Sequence, residues 1–283
     1  MQTIASVYNL KQLNKWVDYL DGAILNFKAF SLIYDELDID KAIMILKNKN
    51  KGIILAINKM IYPNEIEALE QFILKYKDDA IFLVTDLACV YIAKKYNILD
   101  KIIYDPQTMI TNYLDLQAFN SYNFKAIGMS LEIPFNDVCH SQELVNAPLF
   151  YQVFGYRLMF YSKRKLLTLY EQKANIKAHS HNLFIKESTR NDYFPIIENK
   201  NGTMIYRGYL INLLNQDLKN INYQYLESLY IDDIVFGKIL KLFFNLKNKE
   251  ISLDEFNSNL NDLNLNIEDG FTYKDSVYQK ELF

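Results

Sequence analysis

The feature of this sequence that most restricts its fold is an alternation of short apolar runs with longer amphipathic stretches. The short runs are rich in Ile, Val, Leu and Phe, and they do not alternate strictly with polar residues. This texture is typical of strands that are buried on both faces of a parallel sheet. The predicted strands are Ala23–Phe27, Ile53–Ile57, Ala80–Val84, Lys101–Tyr104, Lys125–Met129, Leu149–Phe154, Leu183–Lys186 and Asn222–Glu227.

The stretches between the predicted strands have helical periodicity. They are Ile39–Asn48, Asn64–Lys77, Leu87–Tyr96, Ile110–Asn120, Lys163–Gln172 and Asp233–Asn245. Repeated strand–helix alternation favours a series of βα units with right-handed crossovers. Eight strands fit a closed barrel better than an open sheet, and the 283 residues suit a single such barrel. The sequence therefore predicts an α/β fold, a TIM-like parallel (β/α) barrel.

Two segments depart from this pattern. Phe194–Ile197 and Thr203–Ile205 are β-like and are joined through an Asn-Gly turn at Asn201–Gly202, which predicts a small hairpin insertion near 193–206. We expect the barrel with its hairpin to span residues 1–248. Residues 249–283 are predicted to form a C-terminal helix and tail that pack on the barrel, and the aromatic tail Gly270–Lys280 is expected to be ordered.

Composition restricts the class of protein further. Half of the residues are hydrophobic and 14% are aromatic, which is ample for a buried core. The net charge of −3 gives no global basic field for nucleic acid. Cys89 and Cys139 form no CxxC pair, so we expect reduced thiols and a cytoplasmic protein. Met1–Ile4 lacks the features of a signal peptide, no apolar run approaches membrane-spanning length, and no membrane partner is expected.

Function in a parallel barrel collects at the loops that follow the carboxyl ends of the strands. The catalytic candidates at these positions are Asn58, Asp86, Gln107, Glu132 and Glu187. The same predicted ring contains Lys28, Thr85, Asp105, Thr108, Ser130, Gly155 and Tyr156. Two alternatives stay open: Asp86 and Asp105 can be helix caps, and Glu132 can be a solvated loop carboxylate. Polar groups at a barrel mouth can transfer protons, but no pair has a spacing that identifies catalysis.

A basic and aromatic segment follows the predicted strand Leu149–Phe154. Its candidate RNA- or phosphate-binding residues are Arg157, Tyr161, Lys163, Arg164 and Lys165. Cations interleaved with aromatic rings can hold phosphates and stack bases, whereas a solvated basic face is the simpler alternative. The pair His179 and His181 lacks a nearby carboxylate or thiolate cluster, so no metal site is expected.

Several segments resemble the collagenase-like peptidase family, family U32, in the expected order along almost the whole chain. The most similar are Val153–Gly155, Met159–Arg164 and Leu166–Tyr170, which resemble the signature region, and Asp269–Tyr278, which resembles the closing motif. The other similar positions are Asn58, Thr85-Asp86, Gln107-Thr108, Asn112, Ser130–Glu132, Glu187, Arg190, Tyr193–Ile196, Glu198 and Gly202-Thr203.

The departures from the family pattern concern its iron–sulfur ligands. Leu158 and Lys165 stand where the family signature has cysteines, and no cysteine follows Cys139. Neither side chain can replace a thiolate, so no cofactor is expected in this chain. Phe150 stands in place of the acidic residue that opens the signature, and Leu131 in place of an arginine.

The resemblance implies a range of activities. The family is named for a peptidase, and it includes hydroxylases of RNA and of quinone precursors. One branch acts in prephenate-dependent hydroxylation of the wobble uridine of tRNA, through a short cysteine-poor homologue and a longer one that carries the cluster. This chain resembles the short one. We therefore expect a tRNA-modification subunit whose partners are a cluster-bearing homologue and tRNA, with a collagenase-like peptidase and a non-catalytic RNA-binding scaffold as alternatives.

Overall fold

The protein is built around a closed barrel of eight parallel strands. The computed structural model describes residues 1–176, 183–186, 188–189 and 192–273. The barrel strands, in order around the wall, are β1 (Gln2–Val7), β2 (Gly22–Leu25), β3 (Gly52–Ile57), β4 (Ile81–Val84), β5 (Ile102–Tyr104), β6 (Ala126–Gly128), the first part of β7 (Leu149–Ser162), and β11 (Tyr223–Leu226). The last of these closes the barrel because it pairs with both β1 and β7. The predicted TIM-like barrel is thus confirmed.

Helices separate most of the barrel strands, as the sequence predicts. They are α1 (Leu10–Trp16), α2 (Ile39–Asn48), α3 (Ile66–Tyr76), α4 (Leu87–Lys95), α5 (Tyr113–Asn120), α6 (Phe135–Val145), α7 (Leu166–Ala174), α8 (Asp233–Lys247) and α9 (Leu253–Asn261). Short polar side chains begin several of them: Asp38 accepts a hydrogen bond from the first turn of α2, and Asp232 does the same for α8. Short 3₁₀ turns lie at Val17–Tyr19, Pro63–Glu65 and Leu99–Lys101.

The strand count was right, but its membership was wrong at two places. The N-terminal segment Gln2–Val7 is a barrel strand that the sequence pattern did not single out. Leu183–Lys186, in contrast, forms β8, which pairs antiparallel with β9 (Tyr193–Asn199) outside the barrel. An apolar run predicts a strand but not which neighbouring strand it pairs with. Periodicity therefore could not show that Gln2–Val7, and not Leu183–Lys186, belongs to the barrel.

Strand β7 is more than twice as long as predicted. It runs through the barrel wall to about Phe154 and continues to Ser162 as one strand of an antiparallel sheet with β10 (Gly202–Asn212), β9 and β8. Gly155, with φ 110°, lies where the strand leaves the barrel, and a Cβ there would approach the Glu227 carbonyl oxygen to 2.4 Å. The predicted hairpin is confirmed as β9–β10. Gly155–Arg157 therefore lie within a strand and not in a loop after one.

The junction between the antiparallel sheet and α7 uses residues that carry the family resemblance. The Glu198 carboxylate accepts hydrogen bonds from the backbone amides of Leu167 and Thr168 in the first turn of α7. It also accepts one from the Thr203 hydroxyl at 2.8 Å. A Cβ on Gly202 would lie 2.0 Å from the Ser162 carbonyl oxygen, so only glycine fits this approach.

Two apolar layers hold the barrel together. The inner layer fills the barrel and contains Ile4, Ile24, Ile54, Ala56, Leu83, Ile103, Ala126, Phe150 and Tyr223. The outer layer lies between the strands and the helices, and in it Trp16 packs on Phe236 with ring centroids 4.8 Å apart. Phe256 and Leu260 of α9 belong to this outer layer. The filled interior leaves the two ends of the barrel as the places for a site.

The C-terminal segment is described only in part. Of the predicted aromatic tail, Gly270–Tyr273 are described, and the Thr272 carbonyl accepts a hydrogen bond from the Phe135 amide. The remainder lies outside the described residues, so the prediction of an ordered tail stays a prediction. Across the described ranges, the structure has no helix of the length and apolar character needed to cross a membrane.

Candidate functional site

A cavity of about 380 Å³ opens at the carboxyl ends of the barrel strands. The antiparallel sheet covers one side of it with side chains from β7 and β10, among them Tyr156, Leu158, Phe160 and Tyr206. The barrel contributes the polar groups, which are the amides of Asn26, Asn58, Gln107 and Gln152 and the carboxylates of Asp86, Asp105, Glu132 and Glu227. The described lining contains neither lysine nor arginine. The cavity is therefore aromatic, amide-rich and acidic.

Glu227, directly after β11, is the most heavily hydrogen-bonded carboxylate in the cavity. Its Oε1 accepts from the Ser6 hydroxyl at 2.6 Å and from the Tyr8 hydroxyl at 2.9 Å. The Leu229 amide also donates to Oε1 at 2.9 Å, and the Tyr225 hydroxyl donates to Oε2. Ser6 and Tyr225 lie on β1 and β11, and Tyr8 and Leu229 follow these two strands, so closure of the barrel assembles the group. Hydrogen bonds of this kind stabilise a charge on a half-buried side chain.

The tyrosines around Glu227 are held in their neutral, hydrogen-donating form. Burial raises the pKa of Tyr8, Tyr206 and Tyr225 well above that of a free tyrosine, and the negative charge of Glu227 raises these pKa values further. A phenol near a carboxylate cannot easily lose its own proton, because two negative charges would then be close together. Tyr8 and Tyr225 therefore keep their protons in hydrogen bonds to Glu227, and the tyrosines do not act as bases.

Asp105, after β5, is the group best suited to exchange a proton. Burial raises the pKa of its carboxyl from 3.8 to about 6, and the hydrogen bond from the Gln107 amide opposes the rise. A carboxyl with this pKa is part protonated near neutral pH and can serve as donor or acceptor. Gln107 adopts φ 63°, a conformation that is uncommon for a residue other than glycine or asparagine. The loop is thus held in a specific shape at the cavity wall.

The catalytic candidates from the sequence have different places. Asn58 and Gln107 line the cavity, and the Asn58 side chain also accepts a hydrogen bond from the Leu32 amide. Asp86 lines it too, but its carboxylate caps α4 through the Ala88 amide and holds the Ile61 amide. Glu132 is exposed, with Oε1 3.7 Å from a guanidinium nitrogen of Arg207. Glu187 lies outside the described residues. No catalytic role among these is tested, and they stay predictions.

The predicted RNA-binding residues separate into two groups. The Arg157 side chain is buried: it donates to the Leu131 carbonyl at 2.8 Å and lies over the Tyr151 ring. Burial lowers the pKa of its guanidinium. Tyr161 lines the cavity, while Lys163 follows the end of β7 at its edge. Arg164 and Lys165 are exposed in the turn before α7. Arg157 therefore lies away from solvent, whereas the other four lie at or near the mouth.

Sequence reasoning missed several residues of the cavity. Tyr8 and Asn26 escaped notice because β1 was not counted and β2 ends earlier than predicted. Glu227 stood at the end of a predicted strand, and the rule that pointed to Asn58 and Asp86 would have found it. The importance of Glu227 arises from donors far away in the chain, which no local pattern reveals.

The thiols lie apart from the cavity. Cys89 in α4 is fully buried in the outer layer and Cys139 in α6 is half-buried, and burial raises the pKa of both. Leu158 and Lys165, at the positions where the resemblance places ligand cysteines, lie respectively in the apolar cover of the cavity and in the exposed turn before α7. The donor set that an iron–sulfur cluster needs is therefore not offered by these residues.

The eight-stranded parallel barrel, with a covered polar cavity at the carboxyl ends of its strands, places the protein among the TIM-like (β/α) barrel proteins. The sequence model of peptidase family U32 matches residues 19–230, and the chain belongs to this family. The chain is similar to tRNA hydroxylation protein P2 of Bacillus subtilis (strain 168), with 22% identity and 85% of each chain covered. The solved structure of the U32 peptidase Mk0906 has the same fold, with a TM-score of 0.51 and 12% identity, over 80% of this chain and 92% of that one.

Proposed function

We propose that this protein is a subunit for hydroxylation of the wobble uridine of tRNA, working with a cluster-bearing homologue. The observation that carries the proposal is the similarity to tRNA hydroxylation protein P2 along 85% of both chains, within an established family. Its role is to bind and position the nucleotide. The redox chemistry belongs to the partner, since the two cysteines lie on separate helices and cannot supply the usual thiolate set.

The cavity suits a nucleobase. A volume of about 380 Å³ falls within the range of small-molecule sites, and its walls combine aromatic faces with amides. Uracil carries both hydrogen-bond donors and acceptors in one plane, which amides such as Asn58 and Gln107 can satisfy. A base can stack on tyrosine or phenylalanine at the covered side. The part-protonated carboxyl of Asp105 adds a group that can donate or accept.

The decisive experiment is mass spectrometry of tRNA nucleosides from a strain that lacks this gene. Loss of 5-hydroxyuridine-type nucleosides, restored by the wild-type gene, is expected. Unchanged wobble hydroxylation in the deletion strain would remove the proposal. Co-purification of a family homologue with the tagged chain tests the partner, and metal and sulfide analysis of each separated chain tests where the cluster resides.

A non-catalytic scaffold is the second candidate, and one observation favours it. Two of the predicted catalytic residues have structural contacts: Asp86 caps α4, and Asn58 binds the Leu32 amide. Complementation with Gln107→Ala and with Asp105→Asn separates the two functions. Under the proposal both variants lower hydroxylation while the partner still co-purifies. A scaffold would tolerate both changes with full hydroxylation.

The peptidase alternative has less support in the described residues. Both thiols have raised pKa values and lie away from the cavity, so neither is an activated nucleophile there. Cleavage of gelatin or casein by the purified chain, with loss of activity in Glu132→Gln, would establish it.

A further inference from the structure

Three lysines from distant parts of the chain lie near the cavity mouth, and Lys163 and Lys200 are each close enough to Lys59 to feel its charge. Lys59 follows β3, Lys163 follows β7, and Lys200 lies in the turn between β9 and β10. Each lysine lies within two residues of a side chain that lines the cavity or of a residue that contacts such a side chain. Met60 and Tyr161 line the cavity, and the Tyr161 hydroxyl donates to the Asn201 carbonyl at 3.1 Å. We call these three residues the rim lysines.

Lys59 and Lys163 flank one short segment. The Lys163 ammonium nitrogen lies 3.2 Å from the centroid of the Tyr62 ring. The Lys59 ammonium is buried against Glu65 Oε1, and Glu65 Oε2 accepts from the Tyr62 amide at 3.0 Å. The Glu65 carboxylate is therefore already paired with a buried cation and a backbone donor. Lys163 is left with the face of the Tyr62 ring as its nearest described contact.

The position of Lys200 is fixed by the turn that carries it. Asn199 Nδ2 donates to the Leu32 carbonyl at 3.0 Å, and Asn201 Nδ2 donates to the Ser31 carbonyl at 2.9 Å. The Leu32 amide in turn donates to Asn58, the neighbour of Lys59. These bonds dock the turn on the mouth, with the exposed Lys200 ammonium 5.3 Å from the centroid of the Tyr34 ring.

The electrostatics agree with this geometry. Burial lowers the pKa of Lys163, which the charge of Lys59 lowers further while Glu65 and Asp86 oppose the shift. Burial likewise lowers the pKa of Lys200, and the charges of Lys59 and Lys28 add to this. Like charges thus repel one another at this rim, and an anion placed among them would relieve the repulsion.

The rim and the cavity carry opposite charge. The described lining of the cavity has four carboxylates and no lysine or arginine, so an anion is disfavoured inside it. A ligand that fits both regions needs an uncharged planar head and a negative group a short distance away. A nucleotide within an RNA strand has this form, since its base is neutral and its phosphodiester is an anion.

We propose that Lys163 and Lys200 bind the phosphodiester backbone of a single-stranded RNA segment, one base of which enters the cavity. Lys59 supports them by neutralising Glu65. This inference rests on the proposed function, because it takes the RNA substrate from it. It replaces the single basic segment predicted from the sequence with a site made by three elements, of which only Lys163 belongs to that segment.

The test is binding of an RNA stem–loop with a uridine-containing single-stranded loop to the purified full chain, measured as a function of salt. The double variant Lys163→Ala/Lys200→Ala is expected to weaken binding by roughly tenfold at low salt and to reduce the salt slope by about 1 to 2. The matched control Lys94→Ala/Lys125→Ala removes two exposed lysines near the opposite end of the barrel. Lys163→Arg/Lys200→Arg keeps both charges and is expected to bind like wild type.

Each outcome decides the inference. An unchanged salt slope in the double alanine variant, an equal loss in the control, or no salt-dependent RNA binding by the wild-type chain would overturn it. Free uridine 5′-monophosphate and unlabelled stem–loop are then compared as competitors. Displacement by the two at equal concentrations would identify a free nucleotide as the ligand and would likewise overturn the inference. The proposed function fails separately, if the deletion strain keeps its hydroxylated uridine while the rim lysines still govern RNA binding.

Discussion

Glu227 and its hydrogen-bond donors, which we call the cavity floor, use charge in the opposite way to the rim lysines. At the floor, Glu227 is negative and is surrounded by hydroxyl donors that satisfy it. At the rim, Lys163 and Lys200 contact mainly aromatic rings, which satisfy a cation only in part. The floor charge is therefore committed to the fold, whereas the rim charges remain able to bind a ligand.

This difference predicts how changes in the two regions behave. A carboxylate with several protein donors contributes to stability, and removing it leaves those donors without a partner. A cation near solvent contributes little to stability because water screens it. Floor variants should therefore change the free energy of unfolding most, and rim variants should change RNA binding with little effect on folding.

The largest effect is expected at Glu227. Glu227→Ala removes the acceptor of three hydroxyls and one amide, and it should lower the free energy of unfolding by about 3 kcal/mol. Glu227→Gln keeps an acceptor oxygen and should cost about 1 kcal/mol. Urea unfolding measures both. Equal, small losses in the two variants would mean that the floor network does not stabilise the barrel closure.

The next effect is expected where β7 leaves the barrel beside the floor. Gly155→Ala places a Cβ against the Glu227 carbonyl oxygen in a backbone conformation that side chains rarely adopt. It should lower stability by about 2 kcal/mol. Gly52→Ala is the control, since its Cβ would make only ordinary contacts, and its change should stay within about 0.5 kcal/mol. If Gly155→Ala left the free energy of unfolding unchanged, β7 would have to be able to shift away from β11.

Asp105 gives a smaller, pH-dependent effect. Its pKa is raised from 3.8 to about 6 in the fold, so the native state holds the proton more tightly than the unfolded chain. The raised pKa therefore lowers the free energy of unfolding as pH rises. This loss is absent below pH 3.8, grows with pH, and is complete above about pH 6. Asp105→Asn removes it.

The measurement is urea unfolding of Asp105→Asn and wild type at acidic and neutral pH. After allowance for solvent near this half-buried group, the variant should gain about 1 to 2 kcal/mol over wild type between pH 4 and pH 7. A constant difference between the two proteins across this range would contradict the raised pKa.

The smallest effect on folding is expected at the rim. Lys163→Ala loses a half-exposed contact with Tyr62 and should change the free energy of unfolding by no more than about 0.5 kcal/mol. The same urea experiment checks this, with Lys125→Ala as the reference for an exposed lysine. A loss of several kcal/mol would place Lys163 with the floor as a structural residue and would weaken the contrast.

Much of the fold was accessible from the sequence because its signals are local. Buried parallel strands, helix caps such as Asp232 and the Asn201–Gly202 turn follow from short stretches of chain. Two placements depend on distant parts of the chain and cannot be read from a local pattern. Leu183–Lys186 looks like a barrel strand, but its partner β9 places it outside. Arg157 looks like a surface cation, yet the antiparallel continuation of β7 buries it.

The sequence by itself determined the family, the barrel and the polar positions after its strands, because these depend on residue order and periodicity. The tertiary structure decided which of those positions work together. Ser6 and Tyr8 reach Glu227 across more than two hundred residues of chain, and Lys200 comes close to Lys59 only because its hairpin turn is docked on the Ser31 carbonyl. Such pairings depend on barrel closure and sheet registry, which a local pattern does not contain.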